Sequence, residues 1–193
     1  AILAYSDECE DAMTGVLSVF FNKKILDDLG LESPYTLVRN GTWTYDKMFE
    51  YAGKAVSDLN GDGEFKFNED RFGFIDEVDM FMPSIWIGSN VMTVGKDADD
   101  IPYFNALGNE RFYEIVKDVN TFVNTKGNFL NTFKAIATAE ESRIKGRASF
   151  SNGYSLFHMA GFGKCLELRE MKNDFGIVPV PKYDTEQTEY LSR

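Results

Sequence analysis

The stretch Val16-Leu17-Ser18-Val19-Phe20-Phe21, together with the residues that follow it from 22 to 29, sets the fold class of this chain. The first stretch is apolar, β-branched and aromatic, which is typical of a buried strand. The second is predicted to be a short helix that ends at Gly30. Strand followed by helix is the repeating unit of α/β proteins, so this start predicts helices flanking a mostly parallel sheet.

The rest of the chain continues the alternation. We predict further strands at 72–75, 148–150 and 175–181, and further helices at 45–59, 78–87, 110–125, 132–145 and 156–168. The helix 110–125 has its apolar residues at helical spacing. Gly146 is predicted to end the helix 132–145. Residues 91–106 are predicted to be a loop. The alternation predicts that residues 1–193 form a single α/β lobe.

Composition argues against several classes of function. Hydrophobic residues make up 44% of the chain, which suffices for a packed core, and the net charge is −11. A surface this acidic repels phosphate backbones, so no nucleic-acid partner is expected. The sequence contains no run of about 18 apolar residues, which is the length needed to span a membrane. The single histidine, His158, gives a histidine-based metal site or a Ser-His-Asp triad little to work with, and its spacing with Leu156 and Phe157 predicts a core or surface position.

Two further features concern the state of the chain. Cys9 and Cys165 either form one disulfide or are two buried thiols, and the second alternative is favoured. The chain opens at Ala1 directly in a predicted strand, without a signal peptide. We therefore expect the natural protein to begin further upstream.

Residues 58–69 match the spacing D-x-[DN]-x-[DN]-G-x5-E of a calcium-binding loop. Gly63 permits the sharp turn, whereas Lys66 stands where a ligand oxygen or a water is usual. The candidate ligands are the side chains of Asp58, Asn60, Asp62 and Glu69 and the backbone carbonyl of Glu64. A predicted strand follows, so residues 58–70 are predicted to form a structural Ca²⁺ clip and not a sensor module. The alternative is a polar turn that binds no metal.

Five motifs, in order along the chain, resemble those of family 1 extracellular solute-binding proteins of ABC sugar importers. They are Phe20-Phe21-Asn22-Lys23-Lys24 with Leu29-Gly30-Leu31 and Pro34, Gly41-Thr42-Trp43-Thr44-Tyr45-Asp46, residues 58–63 leading to Phe72-Gly73-Phe74, residues 146–154, and residues 174–182. The family fold has two α/β lobes that close on a sugar. The resemblance implies a periplasmic-binding-protein type II-like lobe, mostly the second, with the first lobe and the last helices of the second outside this chain.

The resemblance also implies a role outside the cytoplasm. A protein of this family is the substrate-binding component of an ABC importer, and it delivers a sugar or oligosaccharide to a membrane permease. Its expected location is extracellular, anchored by lipid at the outer face of the membrane, or periplasmic. It is not expected to be an enzyme.

Sugars are bound by aromatic rings stacked on their C–H faces and by polar groups aimed at their hydroxyls. Two segments offer both kinds of group, and each adjoins a predicted strand or helix end. The candidate ligand-binding residues are Trp86, Ser89, Asn152, Gly153 and Tyr154. The alternatives are a core tryptophan between Ile85 and Ile87 and an ordinary turn at 152–153.

Rival functions come from other classes. A glycoside hydrolase needs two carboxylates that flank a cleft, and none of the 31 acidic residues lies in such a motif. A calcium sensor needs a second EF-hand. A calcium-stabilised adhesive domain remains a further alternative.

Overall fold

The computed structural model describes residues 14–136 and 138–192. The strands are β1 Leu17–Asn22, β2 Phe72–Asp76, β3 Val94–Lys96, β4 Pro102–Phe104, β5 Phe129–Asn131, β6 Ser155–Gly161 and β7 Phe175–Pro179. The α-helices are α1 Lys23–Asp28, α2 Pro34–Arg39, α3 Tyr45–Ala55, α4 Val78–Gly88, α5 Glu110–Asn124, α6 Thr132–Ala135, α7 Ala139–Ser151 and α8 Cys165–Leu168. A 3₁₀ turn, Phe162–Lys164, links β6 to α8.

The central sheet has five strands in the order β5-β2-β6-β1-β7. β2 is parallel to β5 and β6, whereas β1 is antiparallel to β6 and β7. Four of the five strands therefore run in one direction, and β1 alone is reversed. The predicted α/β fold with a mostly parallel sheet is confirmed. We call the side where β5, β2, β6 and β7 finish the carboxyl end of the sheet, and the opposite side the amino end.

Both faces of the sheet are covered, as the largely apolar sequence of β1 predicts. Val19 and Phe21 belong to the larger of two buried clusters, which also contains Trp43. Phe20 points to the other face and packs with Phe150 and Leu168 in the smaller cluster. Every residue of β1 is buried, so the strand is held between two hydrophobic layers.

β1 passes directly into α1 through one polar residue. Asn22 is fully buried, and its side chain accepts a hydrogen bond from the backbone N–H of Ile25 at 3.2 Å. An asparagine at this position satisfies one of the free N–H groups at the start of the helix. The strand-to-helix join predicted from the sequence is confirmed here.

The structure reverses two elements of the sequence prediction. Residues 148–150 lie in helix α7 and not in a strand, and residues 155–161 form strand β6 where a helix was predicted. β6 lies between β2 and β1, and its first five residues, 155–159, are buried. Such a run has no alternating pattern and cannot be distinguished from a buried helix by periodicity.

The same region contains a second difference. Gly146 does not end a helix, because α7 continues to Ser151. A Cβ at Gly146 would lie 3.1 Å from Cγ2 of Thr132, so the glycine permits close packing of α7 on the start of α6. The predicted single helix 132–145 is instead two helices, α6 and α7.

Four elements were absent from the prediction, and one of them, β5, is an edge strand of the central sheet. Helix α2 occupies a segment predicted as loop, and β3 and β4 form a separate two-stranded sheet inside the predicted loop 91–106. Cys165 is partly buried at the start of α8, whereas Cys9 lies outside the described residues. Within the described part of the chain, no helix has the length and apolar character required to cross a bilayer.

The closest backbone approach in the core generates a prediction. A Cβ at Gly73 in β2 would lie 2.4 Å from the backbone oxygen of Ala52 in α3, which cannot move independently. Gly73→Ala should therefore lower the free energy of unfolding by about 2–3 kcal/mol, measured by urea denaturation. In the same helix, Gly53→Ala meets only Oδ1 of Asn128, at 3.7 Å. It should be neutral or stabilise by up to about 1 kcal/mol. Equal effects of the two variants would contradict the close packing of α3 on β2.

Candidate functional site

Five buried polar residues, Asp76, Glu77, Thr132, Ser142 and His158, line a cavity of about 150 Å³ at the carboxyl end of the sheet. It lies where β2 and β6 finish and β1 begins, between the sheet and helices α6 and α7. Ligands of α/β proteins commonly bind at this position, because loops and helix starts leave a crevice there. The lining residues are Leu17, Asp76, Glu77, Met80, Thr132, Ser142, Arg143, Gly146, Arg147, His158, Met159, Ala160, Gly161 and Lys164.

Asp76, the last residue of β2, links two strands at the cavity wall. Its carboxyl oxygens accept hydrogen bonds from the backbone N–H of Glu77 at 2.7 Å and of Met159 at 3.0 Å. Burial raises the pKa of Asp76 to about 8, and the nearby charges of Glu77 and Asp79 act in the same direction. The two hydrogen bonds oppose this rise without cancelling it. Asp76 is therefore mainly a neutral acid at pH 7.

Glu77 is a buried acidic side chain of the cavity with one carboxyl oxygen that has no partner. It is only 3% exposed, and its Oε2 lies 3.2 Å from Nε of Arg143 in α7. Its other oxygen, Oε1, is buried and has no hydrogen-bond partner among the described residues. An unsatisfied buried acceptor costs roughly 1–3 kcal/mol. A ligand that donates a hydrogen bond to Oε1 would recover this cost.

His158 in β6 also lines the cavity, although the sequence placed it in the core or on the surface. The ring is 6% exposed, and its Nδ1 lies 2.9 Å from the backbone carbonyl oxygen of Ile75. Burial lowers the pKa of His158 to about 4, and the positive charge of Arg147 contributes. The ring is thus neutral at pH 7. Because a carbonyl can only accept, Nδ1 carries the proton and Nε2 is the unprotonated nitrogen.

The cationic side chains of the cavity already have acidic partners. Arg147 is paired with Glu167 at 3.0 Å, and Lys164 is paired with the same carboxylate at 2.6 Å. Arg143 is paired with Glu77. The buried side-chain atom without a partner at this cavity is an acceptor, Oε1 of Glu77, and a ligand with hydroxyl donors fits it.

Two aromatic rings stand beside the same strand ends. Phe133, 55% exposed, follows β5, and Phe162, 48% exposed, follows β6. Neither ring lines the cavity, but each residue directly follows one that does, Thr132 and Gly161. An exposed phenylalanine offers the flat apolar surface on which sugars stack. The sequence analysis did not select them. An aromatic residue directly after a buried strand would have indicated Phe162 in the sequence. Recognising it required the correct boundary of β6, which the sequence analysis did not have.

The structure does not bring all the predicted ligand residues together. Asn152, Gly153 and Tyr154 form the turn before β6, at the amino end of the sheet, so the premise that they follow a strand is wrong. Trp86 lies in α4, partly buried, with its ring 5.3 Å from the ring of Phe112 in α5. Ser89 is fully buried just after that helix. Ligand contact by these five residues stays a prediction.

The predicted calcium loop lies before β2, away from the carboxyl end. Asp58 accepts hydrogen bonds from the backbone N–H of Gly61 at 2.6 Å and of Gly63 at 2.8 Å. Both glycines have the left-handed backbone that such turns require, with φ of 74° and 79°. The side chain of Asn60 accepts a bond from the backbone N–H of Asp62. The backbone thus has the turns expected of the motif.

The side chains of the loop fit a cation less well. Nζ of Lys66 lies 2.6 Å from the carboxylate of Asp62, and Nζ of Lys126 donates to the carbonyl of Gly63 at 2.6 Å. Glu69 accepts a long hydrogen bond of 3.5 Å from Asn60. Among the side chains that the structure describes, no three acidic, histidine or cysteine residues are grouped so that they could hold a metal ion. Calcium binding by Asp58, Asn60, Asp62, Glu64 and Glu69 stays a prediction.

Comparison with known proteins identifies the fold. The sequence matches no protein-family model and no curated protein. Among solved structures, the chain superposes on the maltose/maltodextrin-binding domain MalE from Bdellovibrio bacteriovorus bound to maltotriose, with TM-score 0.60, 18% identity and 92% of this chain covered. It superposes similarly on the ABC substrate-binding protein Lmo0181 from Listeria monocytogenes in complex with cycloalternan, with TM-score 0.63, 13% identity and 93% covered.

A third similar structure is maltose-bound MalE3 from T. maritima, with TM-score 0.59, 13% identity and 89% of this chain covered. The chain spans 39%, 43% and 40% of the length of these three structures. The resemblance predicted from the sequence motifs is confirmed at the level of the fold, which is that of type II periplasmic binding proteins.

The calcium loop can be tested by calorimetry. If the loop binds Ca²⁺, titration should give one site that is lost in Asp62→Ala. Because Lys66 neutralises Asp62, Lys66→Gln should strengthen binding. Stabilisation by the metal should reach about 2.7 kcal/mol at 100-fold excess over Kd. Neither heat nor a change in melting temperature at millimolar Ca²⁺, in both the wild type and Lys66→Gln, would show a metal-free turn.

Asp76 and His158 predict how stability depends on pH. Folded Asp76 keeps its proton up to about pH 8, whereas the unfolded side chain loses it near 3.8, so its contribution to stability falls as pH rises between these values. His158 acts in the opposite sense between its folded pKa of about 4 and its unfolded value of 6.5. Above that value Asp76 acts alone, so the free energy of unfolding should fall by about 2 kcal/mol towards pH 8. Urea denaturation at several pH values measures this. Asp76→Asn should remove the fall, and an unchanged slope in that variant would contradict the assignment.

Proposed function

We propose that this chain is part of an extracellular or periplasmic substrate-binding protein of an ABC importer. In this proposal the cavity at the carboxyl end of the sheet binds a sugar or oligosaccharide, and the protein delivers it to a membrane permease. The fold supports the class, since the similar solved structures are sugar-binding proteins by their descriptions. The observation that carries the choice of ligand is the buried, unpartnered Oε1 of Glu77.

The chemistry of the cavity favours a neutral ligand that carries many hydroxyl groups. Oε1 of Glu77 requires a donor, and the three cationic side chains of the cavity each contact a carboxylate, Arg143 that of Glu77 and Arg147 and Lys164 that of Glu167. The exposed rings of Phe133 and Phe162 provide apolar surface for sugar faces. Polar anchors beside exposed aromatic rings are the usual composition of a sugar site.

The enzyme alternative has one observation in its favour, which is a pair of carboxyl groups at the end of β2. Glycoside hydrolysis requires two carboxyl groups on opposite sides of the scissile bond. Asp76 and Glu77 are consecutive residues on one strand end, and Asp76 is occupied by two backbone N–H groups. A binding role fits this arrangement better than catalysis does.

The test is calorimetry on the full-length protein with maltose, maltotriose, mannobiose and cycloalternan. Wild-type protein should bind at least one of these sugars without hydrolysing it. Glu77→Gln should weaken binding about tenfold or more, because a hydrogen bond to a charged acceptor contributes roughly 1.5–3 kcal/mol. No binding of any sugar, or turnover of a bound one, would contradict the proposal.

Two further variants complete this experiment. Glu170→Gln, whose side chain is 91% exposed, removes the same charge without touching the cavity and should leave affinity unchanged. Trp86→Ala separates the two interpretations of that residue. Loss of affinity at an unchanged melting temperature would support the sequence-based assignment to the ligand. A lower melting temperature at unchanged affinity would show that the ring serves packing on Phe112.

A further inference from the structure

His158 differs from the other titratable side chains of the cavity. Four of those form ion pairs, and Asp76 accepts hydrogen bonds from two backbone N–H groups. Its Nδ1 is fixed by the carbonyl of Ile75 at 2.9 Å. One side of the ring packs near the ring of Phe150, with centroids 5.8 Å apart. The described residues provide no hydrogen-bond partner for Nε2. The residue lines the cavity and keeps 6% of its surface exposed.

We infer that Nε2 of His158 is a hydrogen-bond acceptor for a hydroxyl group of the ligand, and that the Ile75 carbonyl acts as the positioning group that fixes the required tautomer. This inference rests on the proposed function, since it names a further binding residue of the same cavity. The sequence gives no hint of it, because His158 lies within an apolar run in β6.

The steps of the argument are chemical. A neutral imidazole has one donor nitrogen and one acceptor nitrogen, and the partner of one nitrogen decides the role of the other. A backbone carbonyl cannot donate, so Nδ1–H donates to Ile75 and Nε2 keeps its lone pair. The ring lines the cavity together with Glu77. The cavity therefore offers a second acceptor, and this one is neutral.

Two substitutions separate the ligand contact from the structural bond. Asparagine places an N–H group near the position of Nδ1 and can still donate to Ile75, but it does not reach the position of Nε2. Glutamine reaches that position and can accept there. In the full-length protein, His158→Asn should weaken the affinity for the best-bound sugar among maltose, maltotriose, mannobiose and cycloalternan by roughly five- to tenfold. His158→Gln should weaken it by less than about threefold.

A spectroscopic measurement tests the same inference in the wild-type protein. In protein labelled with ¹⁵N-histidine, His158→Asn identifies the His158 signals by their disappearance. Wild-type protein should show Nδ1 protonated and Nε2 unprotonated, and the same sugar should shift the Nε2 resonance much more than that of Nδ1. If His158→Asn fails to fold, the signals that disappear in His158→Gln identify His158 instead. The shift of the wild-type Nε2 resonance on sugar binding then still tests the inference.

The outcomes are distinct. Sugar binding that is equal in the wild type and His158→Asn, with an unmoved Nε2 resonance, overturns the inference and leaves the proposed function standing. A proton on Nε2 in the free protein also overturns the inference. Failure of the wild type to bind any of the four sugars overturns the proposed function and, with it, this role of His158.

Discussion

Burial of β1 on both faces is the constraint on which the rest of the structure depends. The strand Leu17–Asn22 lies between β6 and β7 and is the only reversed strand of the five-stranded sheet. Because every residue of β1 is buried, helices must cover both faces, and a strand in this environment cannot slip by one residue without exchanging its two sets of side chains. The reversal also places the start of β1 beside the ends of β6 and β7, so Leu17 becomes part of the cavity wall.

The arrangement of parallel strands explains why polar groups accumulate at the carboxyl end. β2 and β6 finish side by side, so Asp76 can accept the backbone N–H of Met159, and His158 can bond to the carbonyl of Ile75. These contacts cross between strands separated by about 80 residues in sequence, and each satisfies a backbone group that the sheet leaves free at its end. The side chains are therefore held in place by the sheet itself and not by flexible loops, which is the condition for precise recognition.

Some of this could be predicted from the sequence and some could not. The strands β1, β2 and β7 and the helices α3, α4 and α5 have clear apolar patterns, and all were predicted at nearly their observed positions. β6 could not be recognised, because a central strand buried on both faces has the same composition as a buried helix. That single error moved the predicted ligand turn to residues 152–154 at the amino end, and it hid both His158 and Phe162. Glu77 was missed for a different reason, since only the tertiary structure shows that one of its oxygens is buried without a partner.

The protonation of Asp76 has a consequence for its neighbour. Two adjacent carboxylates in a poorly solvated cavity repel each other strongly, and the usual resolution is that one of them keeps its proton. Both side chains are buried; burial raises the pKa of Asp76, and Glu77 is the member of the pair that contacts Arg143. Arg143 is largely exposed while Glu77 is not, so the ion pair joins the solvent side of the cavity to its interior. A ligand hydroxyl bound at Oε1 would then meet a carboxylate whose charge is already balanced, and it could be held without bringing a charge of its own. Under the proposed function, this balance favours a neutral ligand with hydroxyl groups at Oε1.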